Sequence, residues 1–257
     1  MGKAMVPPVL PFPAWHRTGV DRRFLTEAVR RATLPGRPRL EVLGPAPSAA
    51  GSVGLVAGSF DPMTAAHAAF AEALDTELTL LVWSPATLPK EAGPGGDPSA
   101  ALLLPEDRLA SVAAWCGSRP WARVATCSHG LLVDQVQAAA ASFPRSRLVL
   151  GMGSDKLRQL LDPAWYEDRD AALDRLFSRA EVAVASRAGD HAEPIDARWS
   201  DRIRTVVLPP GLAGLSSRAV RAAVRRGEDV SGAVPPEILP FVRGLARGGG
   251  GERDPER

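Results

Sequence analysis

A short segment of small, polar and imidazole side chains follows the apolar run Val53–Ala57. It reads Gly-Ser-Phe-Asp-Pro over residues 58–62, and a predicted helix begins near Thr64. Gly58 permits close approach of the backbone to a ligand. Thr64 and His67 are three residues apart, so both side chains of a first helical turn point toward one place, where free amides and the helix dipole favour an anion. A hydroxyl and an imidazole beside an anion suit phosphoryl transfer, although a plain strand-to-helix turn with a structural histidine is an equal alternative for this segment alone.

The elements that would position these residues follow from hydrophobic patterning. Near-continuous apolar runs, most of them rich in β-branched residues, alternate with alanine- and leucine-rich segments of helical period. Such runs are typical of a parallel sheet buried on both faces, and the alternation predicts a doubly wound α/β sheet with a helical C-terminal portion. The predicted strands are Val53–Ala57, Leu78–Trp83, Arg123–Thr126, Leu148–Met152, Val182–Ala185 and Ile203–Leu208, and the predicted helices are Thr64–Leu74, Pro105–Trp115, Leu131–Ala140 and Asp168–Phe177.

The two ends of the chain differ in composition from the part between them. Residues 1–50 combine a proline-rich lead, a possible helix over Val20–Arg31 and a Pro/Gly/Ala linker that reaches Gly51. We expect an N-terminal extension over residues 1–50 and a main domain over residues 51–247. The glycine-rich residues 248–257 are predicted to form a disordered tail.

Composition disfavours several classes of function. The 257 residues are 45% hydrophobic and 23% charged with a net charge of +2, which predicts no nucleic-acid partner. No apolar run approaches the roughly 20 residues of a membrane span, and the N-terminus is too proline-broken for a signal peptide, so we expect a cytoplasmic protein without a membrane partner. Cys116 and Cys127 offer neither a disulfide framework nor a metal cluster. The lysines are few, namely Lys3, Lys90 and Lys156, and the last two fall inside segments that carry motifs, which hints that an ammonium is wanted there.

Two signatures together resemble the nucleotidylyltransferase superfamily. Residues 58–62, followed by Thr64-x-x-His67, are similar to that family's G-x-F-D-P and (H/T)-x-G-H pattern. Near the other end, the Leu-Ser-Ser-Arg-Ala-Val-Arg sequence of residues 215–221 resembles the family's I-S-S-T-x-I-R at a predicted helix start. The resemblance implies that Ser217 and the helix amides meet the β- and γ-phosphates, with Arg221 adding a fork of donors. For the two serines alone, a helix N-cap pair is the alternative.

A third segment narrows the resemblance to the nicotinate/nicotinamide mononucleotide adenylyltransferases. Residues 153–157, Gly-Ser-Asp-Lys-Leu, with Trp165 and the apolar run that precedes Arg187, are similar to that family's G-A-D-x-L…W…strand…R-x-G stretch. There the aspartate holds a nucleotide ribose, which implies this role for Asp155, with a helix N-cap as the alternative. The segment ending at Lys90 resembles a family loop that ends in His-Lys, although the histidine is missing. The resemblance implies that Lys90 binds phosphate, and a solvated loop lysine is the alternative.

The resemblance implies an adenylyltransferase that moves AMP from Mg-ATP to the phosphate of a mononucleotide such as nicotinate mononucleotide and releases pyrophosphate. The implied ligands are ATP with Mg²⁺ and a phosphorylated small-molecule acceptor, and no residue is expected to bind the metal directly. The oligomeric state stays open, a homo-oligomer included. The implied catalytic residues are His67, Thr64, Lys90 and Arg221. The implied nucleotide-binding residues are Gly58, Ser59, Phe60, His67, Gly153, Asp155, Ser216, Ser217 and Arg221.

Three departures from the family patterns keep other functions open. Thr64 replaces a histidine that is usual in mononucleotide adenylyltransferases and is the normal residue of the pantetheine-phosphate branch, so a pantetheine-type acceptor or CMP transfer is one rival. Ala66 replaces the motif glycine, and Arg218 replaces the threonine of the second motif. Because both changes would reshape the nucleotide site, a catalytically weak nucleotide-binding or regulatory protein is the other rival.

Overall fold

Seven strands form one sheet in the computed structural model, which describes residues 21–45, 50–86, 101–186, 195–212 and 214–246. The strands are β1 (Leu40–Leu43), β2 (Ser52–Ala57), β3 (Leu78–Trp83), β4 (Ala122–Cys127), β5 (Arg147–Gly153), β6 (Ala180–Ser186) and β7 (Ile203–Val207). The helices are α1 (Arg22–Ala32), α2 (Ala65–Ala73), α3 (Pro105–Cys116), α4 (Leu132–Ser142), α5 (Ser154–Leu161), α6 (Arg169–Phe177), α7 (Ala197–Ser200), α8 (Ser217–Arg225) and α9 (Leu239–Ala246), and a 3₁₀ turn spans Pro163–Trp165. The six predicted strands and four predicted main-domain helices are all present, which confirms the α/β fold class.

The order of the strands shows that the chain adds strands first toward one edge of the sheet and then, from the centre, toward the other. Neighbours follow the order β1-β4-β3-β2-β5-β6-β7, and all pairs from β4 to β7 are parallel. The chain proceeds outward from β2 through β3 to β4, and outward on the other side from β5 to β7. The boundary between β2 and β5 is therefore the topological switch point, where open α/β sheets bind ligands beyond the carboxyl ends of their strands.

Helices cover both faces of the sheet, as the apolar patterning predicts. Every residue of β3 is buried, and successive residues of this strand enter different core clusters. Leu80 packs with side chains of α4, α5 and α6, whereas Leu81 packs with side chains of α1, α2, α3 and α8. Full burial of a leucine side chain stabilises a fold by about 1.5–3 kcal/mol, so alternation along β3 attaches both helix layers to the sheet.

The N-terminal segment adds an element that patterning did not predict. Helix α1 agrees with the helix expected over Val20–Arg31, and it packs against α3. The expected linker, however, contains β1, which pairs antiparallel with β4 from Leu40 opposite Cys127 to Leu43 opposite Val124. The linker prediction is wrong for these four residues, because β4 offers an open edge to which a short half-buried strand can bond. The division at residue 50 and the tail over 248–257 stay predictions, and the tail lies outside the described residues.

The C-terminal portion is helical, as expected, and closes over one end of the sheet. Val220 and Val224 of α8 are buried beside Phe241 and Val242 of α9. Among the described residues, no helix is both long enough and apolar enough to cross a membrane.

Candidate functional site

Two adjoining cavities open at the carboxyl ends of the central strands. The larger cavity has a volume of about 450 Å³ and lies over the switch point between β2 and β5. The smaller cavity has a volume of about 170 Å³ and lies beyond the ends of β2 and β3. Both walls include Ala57, Gly58 and Ser59 at the end of β2, together with Lys156 of α5. Two cavities that share a wall can hold two reactants side by side.

The His67 ring is fixed by the residue that begins its helix. Thr64 is the N-cap of α2 and is fully buried, and its backbone N–H donates to His67 Nδ1 over 3.1 Å. The Thr64 hydroxyl lies 2.7 Å from the same nitrogen, and the His67 N–H donates to that hydroxyl over 3.4 Å. Because Nδ1 accepts a backbone hydrogen bond, the neutral ring carries its proton on Nε2. The ring lines the larger cavity, so Nε2–H is the group that can donate to a bound anion.

The start of α2 is less open to an anion than the sequence suggested. The Ala65 N–H donates to the Ala233 carbonyl over 2.9 Å, and the His67 N–H is taken by Thr64. The expectation of free amides at this helix start is therefore wrong for these two groups. The imidazole of His67 remains a donor of this turn that lines the larger cavity.

Asp61 joins three separate segments of the chain. Its carboxylate is 5% exposed and accepts the backbone N–H of Leu103 over 2.8 Å and that of Leu102 over 3.1 Å. Arg108 of α3 lies 3.3 Å and Arg221 of α8 lies 3.6 Å from Asp61 Oδ2. The Arg221 guanidinium also donates to the Asp61 carbonyl over 2.7 Å. We call these five residues the Asp61 node, and it holds the loop after β2 against α3 and α8.

The residues of the second signature have three roles: they cap helix α8, bond it to the loop after β2 and line the larger cavity. Ser216 is the N-cap of α8 and accepts the Ala219 N–H over 3.2 Å, in agreement with the capping alternative for this serine. The Ser217 hydroxyl donates to the Pro62 carbonyl over 2.8 Å. Both serines and Arg218 line the larger cavity. Arg218 is exposed, and among the described residues its side chain has no hydrogen-bond or ion-pair partner.

The segment after β5 leaves open space beside its backbone. Gly153 is the N-cap of α5, and a Cβ added there would meet no atom within 4 Å. Gly153 and Asp155 both line the larger cavity, and Asp155 pairs with Arg158 at the exposed edge. Asp155 is not the N-cap of the helix, which excludes the capping alternative. Its carboxylate is positioned where a ligand hydroxyl in the larger cavity can reach it.

Position 58 requires glycine because the neighbouring Phe60 ring leaves no room for a Cβ atom. A Cβ at position 58 would lie 2.8 Å from Cε1 of Phe60, whose ring is 1% exposed. Phe60 has a φ of +47° and packs edge-on against His67, with ring centroids 5.6 Å apart. The Phe60 side chain is thus a core group that supports His67, while the Gly58 backbone lines both cavities.

The wall of the smaller cavity carries one buried amide whose orientation is set. Gln135 of α4 is 3% exposed, and its Nε2 donates to the carbonyls of His129 and Gly130 over 3.2 and 3.4 Å. Its Oε1 is buried and has no hydrogen-bond partner among the described residues. A buried acceptor without a partner is costly, and a donor group of a ligand would relieve that cost. Arg108 and Trp83 line the same cavity.

The structure brings most of the predicted nucleotide-binding residues together, but not all. The predicted residues that line the larger cavity are Gly58, Ser59, His67, Gly153, Asp155, Ser216 and Ser217. The buried side chains of Thr64 and Phe60 and the guanidinium of Arg221 lie behind that wall, and Lys90 lies outside the described residues. The roles assigned to all of them stay predictions. The sequence argument assigned no role to Asp61, Lys156 or Gln135. Asp61 had a signal as the acid of the Phe-Asp-Pro pattern, and Lys156 had one as a scarce lysine inside a matched segment.

Comparison with known proteins agrees with the signatures. No family model matches the chain. A curated "Probable nicotinate-nucleotide adenylyltransferase" of Methylibium petroleiphilum is 30% identical over 200 residues, which cover 74% of this chain and 86% of the relative. A protein of the same name from Anaeromyxobacter sp. strain K is 30% identical over 207 residues, which cover 76% of this chain and 97% of the relative.

One solved structure, provisionally described as a nicotinate-nucleotide adenylyltransferase from Vibrio parahaemolyticus, is 15% identical with a TM-score of 0.48, covering 76% of this chain and 95% of that one. The family assignment rests on the curated relatives, since this chain covers nearly the whole of each at 30% identity. The chain belongs to the nicotinate-nucleotide adenylyltransferase family, whose members are nucleotidyltransferase enzymes.

Proposed function

We propose that this enzyme transfers AMP from Mg-ATP to the phosphate of a mononucleotide, with nicotinate mononucleotide as the preferred acceptor, and releases pyrophosphate. The observation that carries the proposal is the pair of cavities that share the end of β2. A reaction between two bound nucleotides needs two sites whose reacting ends meet. The names of the curated relatives support nicotinate mononucleotide as the acceptor.

The larger cavity suits ATP. Its volume of about 450 Å³ lies within the range of roughly 300–1,000 Å³ that is common for small-molecule sites. The Asp155 carboxylate can accept a ribose hydroxyl, and the open space at Gly153 allows close approach of the nucleotide to the backbone. His67 and the start of α8 provide donors for the phosphates at the opposite side of this cavity.

The smaller cavity suits the acceptor. Arg108 in its wall supplies positive charge, and the unpartnered Oε1 of Gln135 supplies a buried acceptor for a ligand O–H or N–H. A phosphorylated ribonucleoside carries both complements, an anionic phosphate for Arg108 and hydroxyl groups for Gln135.

The chemical step needs no covalent enzyme intermediate. A phosphate oxygen of the acceptor attacks the α-phosphorus of ATP in line, one P–O bond forms, and the bond from the α-phosphorus to the bridging oxygen breaks. Pyrophosphate leaves with the electron pair of that bond. The enzyme contributes alignment and neutralisation of the developing charge, for which we propose His67 through Nε2–H and Lys90. Ser217 and Arg221 belong to this set if the hydroxyl exchanges the Pro62 carbonyl, and the guanidinium exchanges Asp61, for the nucleotide.

The magnesium ion enters with its nucleotide. Among the described residues, no group of three or more His, Cys, Asp or Glu side chains is arranged to hold a metal. Mg²⁺ is commonly held by substrate phosphates and water with few protein ligands, and we propose that it binds here as Mg-ATP. Bound with the nucleotide, the ion would lower the charge that the protein donors must neutralise.

The test is pyrophosphate release from ATP with a panel of phosphorylated acceptors. We expect release with nicotinate mononucleotide, less with nicotinamide mononucleotide, and none with phosphopantetheine or with CTP in place of ATP. Activity with phosphopantetheine or CTP would support the rival transferases that Thr64 keeps open. Binding of ATP without release for any acceptor would support the weak nucleotide-binding protein that Ala66 and Arg218, both in the larger cavity wall, keep open.

The His67→Ala variant tests the proposed role of His67 in the chemical step. We expect the variant to remain folded and its turnover to fall by roughly 10²–10³, the usual cost of losing one charge-stabilising donor. A folded variant with unchanged turnover would remove His67 from the proposed chemistry.

A further inference from the structure

Lys156 lies where the two cavities meet. The residues common to both walls are Ala57, Gly58, Ser59 and Lys156. The first three bring small side chains and the backbone at the end of β2, and Lys156 alone among them carries a charged side chain. Within the described part of the chain it is also the only lysine. The junction therefore has a single ammonium group contributed by the shared wall.

The position of Lys156 is not explained by the stability of its helix. Lys156 lies in the first turn of α5, which begins at Ser154 directly after β5. The amide groups at a helix start carry partial positive charge, so a cation in the first turn is disfavoured. Leu157 and Leu160 attach α5 to the core, whereas Lys156 is half-buried and lines both cavities.

An ammonium group at this junction can offset the repulsion between the two anionic reactants of the proposed reaction. Transfer of AMP to a phosphorylated acceptor brings two anions together, the α-phosphate of the nucleotide and the phosphate of the acceptor. Two like charges this close repel strongly in a site that is partly shielded from water. A cation between them offsets this repulsion before the new bond forms and neutralises the α-phosphate oxygens as the old bond breaks.

We propose that Lys156 is a catalytic residue whose ammonium contacts both phosphates across the junction. The inference rests on the proposed function and extends it to a position that the matched signature leaves unspecified, the x of G-A-D-x-L. Lys156 keeps its protons throughout and forms no bond to phosphorus. The acceptor oxygen bonds to the α-phosphorus, the bond to the bridging oxygen breaks, and pyrophosphate carries away the electron pair.

The test compares Lys156→Met and Lys156→Arg with Arg179→Met. Arg179 is an exposed cation directly before β6, at the amino ends of the strands and away from both cavities, so its variant loses the same charge at a remote site. The measurements are kcat and KM for both substrates, the Kd of each substrate alone, and the melting temperature. Lys156→Arg keeps a cation at the junction and serves as the second variant if Lys156→Met proves unstable.

A contact made to both phosphates predicts a specific pattern. For Lys156→Met we expect kcat to fall by roughly 10²–10³, while the Kd of each substrate alone rises by less than about tenfold because each binary complex loses one contact. Lys156→Arg should keep a larger share of kcat than Lys156→Met, and Arg179→Met should match the wild type within about twofold, as remote surface changes do.

If the wild-type enzyme turns over, three results would overturn the inference about Lys156 and leave the proposed function intact. They are an undiminished kcat in folded Lys156→Met, a loss fully explained by the Kd of one substrate, and equal losses in Lys156→Met and Arg179→Met. The first removes Lys156 from the chemistry, the second confines it to one cavity, and the third leaves only a long-range charge effect. Absence of wild-type pyrophosphate release with every acceptor would instead overturn the proposed function, and this inference with it.

Discussion

Replacement of Asp61 by asparagine should show how much the charge pairing of the Asp61 node contributes to the stability of the folded enzyme. Asp61 Oδ1 accepts the backbone amides of Leu102 and Leu103, whereas Oδ2 shares the Leu102 amide over 3.2 Å and faces the guanidinium groups of Arg108 and Arg221. An asparagine with its oxygen in the place of Oδ1 keeps the two amide bonds to that atom and loses the Leu102 bond to Oδ2. Its NH₂ group then faces the two arginines, so Asp61→Asn removes the charge pairing and leaves the shape of the side chain almost unchanged.

The expected cost follows from the burial of the three side chains. Removal of one partner from a buried ion pair costs about 3–5 kcal/mol. The arginine side chains are 16% and 21% exposed and lie 3.3 and 3.6 Å from Oδ2, so solvent screening lowers the expected cost to about 2–4 kcal/mol. For a domain of this size, 1 kcal/mol corresponds to roughly 2–4 °C in melting temperature, and the predicted decrease is about 4–16 °C.

The assay is thermal unfolding of Asp61→Asn beside a matched control. Asp75 is exposed and has a φ of +52°, a backbone conformation that asparagine tolerates as well as aspartate, so Asp75→Asn should change the melting temperature little. In an Arg221→Met background the cost of Asp61→Asn should shrink, because one stranded cation is gone. Equal melting temperatures for Asp61→Asn and Asp75→Asn, or strict additivity with Arg221→Met, would refute the electrostatic account of the node.

Three further changes address other contacts of the site and the core. Thr64→Val removes the hydroxyl beside His67 Nδ1, and we expect a loss of about 1 kcal/mol in stability with about tenfold lower kcat, measured by thermal unfolding and pyrophosphate release; Thr64→Ser should retain both. Arg218→Met should raise the Kd of ATP about 3- to 10-fold, a discounted value for an exposed cation, with little change for AMP by calorimetry; equal changes would place Arg218 away from the phosphates. Burial raises the pKa of the Cys116 thiol to about 12, so the folded state holds this proton more tightly than the unfolded state and stability should fall as pH rises from about 9 toward 12. Cys116 should resist iodoacetamide at pH 8 until urea is added, and mass spectrometry showing rapid labelling of the native protein would contradict its burial.

The central sheet could be predicted because its strands are buried on both faces. An apolar run such as Leu78–Trp83 has no solvent face, so its composition alone indicates a strand between two helix layers. Strand β1 carries no such signal. Its four residues are all half-buried, and it exists because the edge of β4 is open to pairing, which is a tertiary fact that a local pattern does not contain.

The cavity wall was predicted better than the orientation of individual side chains. Motif spacing located the ends of β2 and β5 and the start of α8, since helix starts and strand ends have local signals. The directions of Thr64, Phe60 and Arg221 depend on contacts between distant segments. Arg221 bonds to Asp61 across 160 residues, and no pattern within residues 215–221 encodes that partner. For Lys156 the sequence offered only the hint of a scarce lysine inside a matched segment, and its place between two cavities is a tertiary fact.

The Asp61 node changes how loss of activity in this enzyme has to be interpreted. Arg221 belongs to a signature associated with phosphate binding, yet its guanidinium donates to the Asp61 carbonyl and lies beside the Asp61 carboxylate. An Arg221 variant would therefore lose activity either because a phosphate ligand is gone or because the loop that carries Gly58 and His67 has lost its brace. The two causes differ in one measurable respect. Loss of a ligand lowers ATP affinity without lowering the melting temperature of the free enzyme, whereas loss of the brace lowers the melting temperature whether or not nucleotide is present.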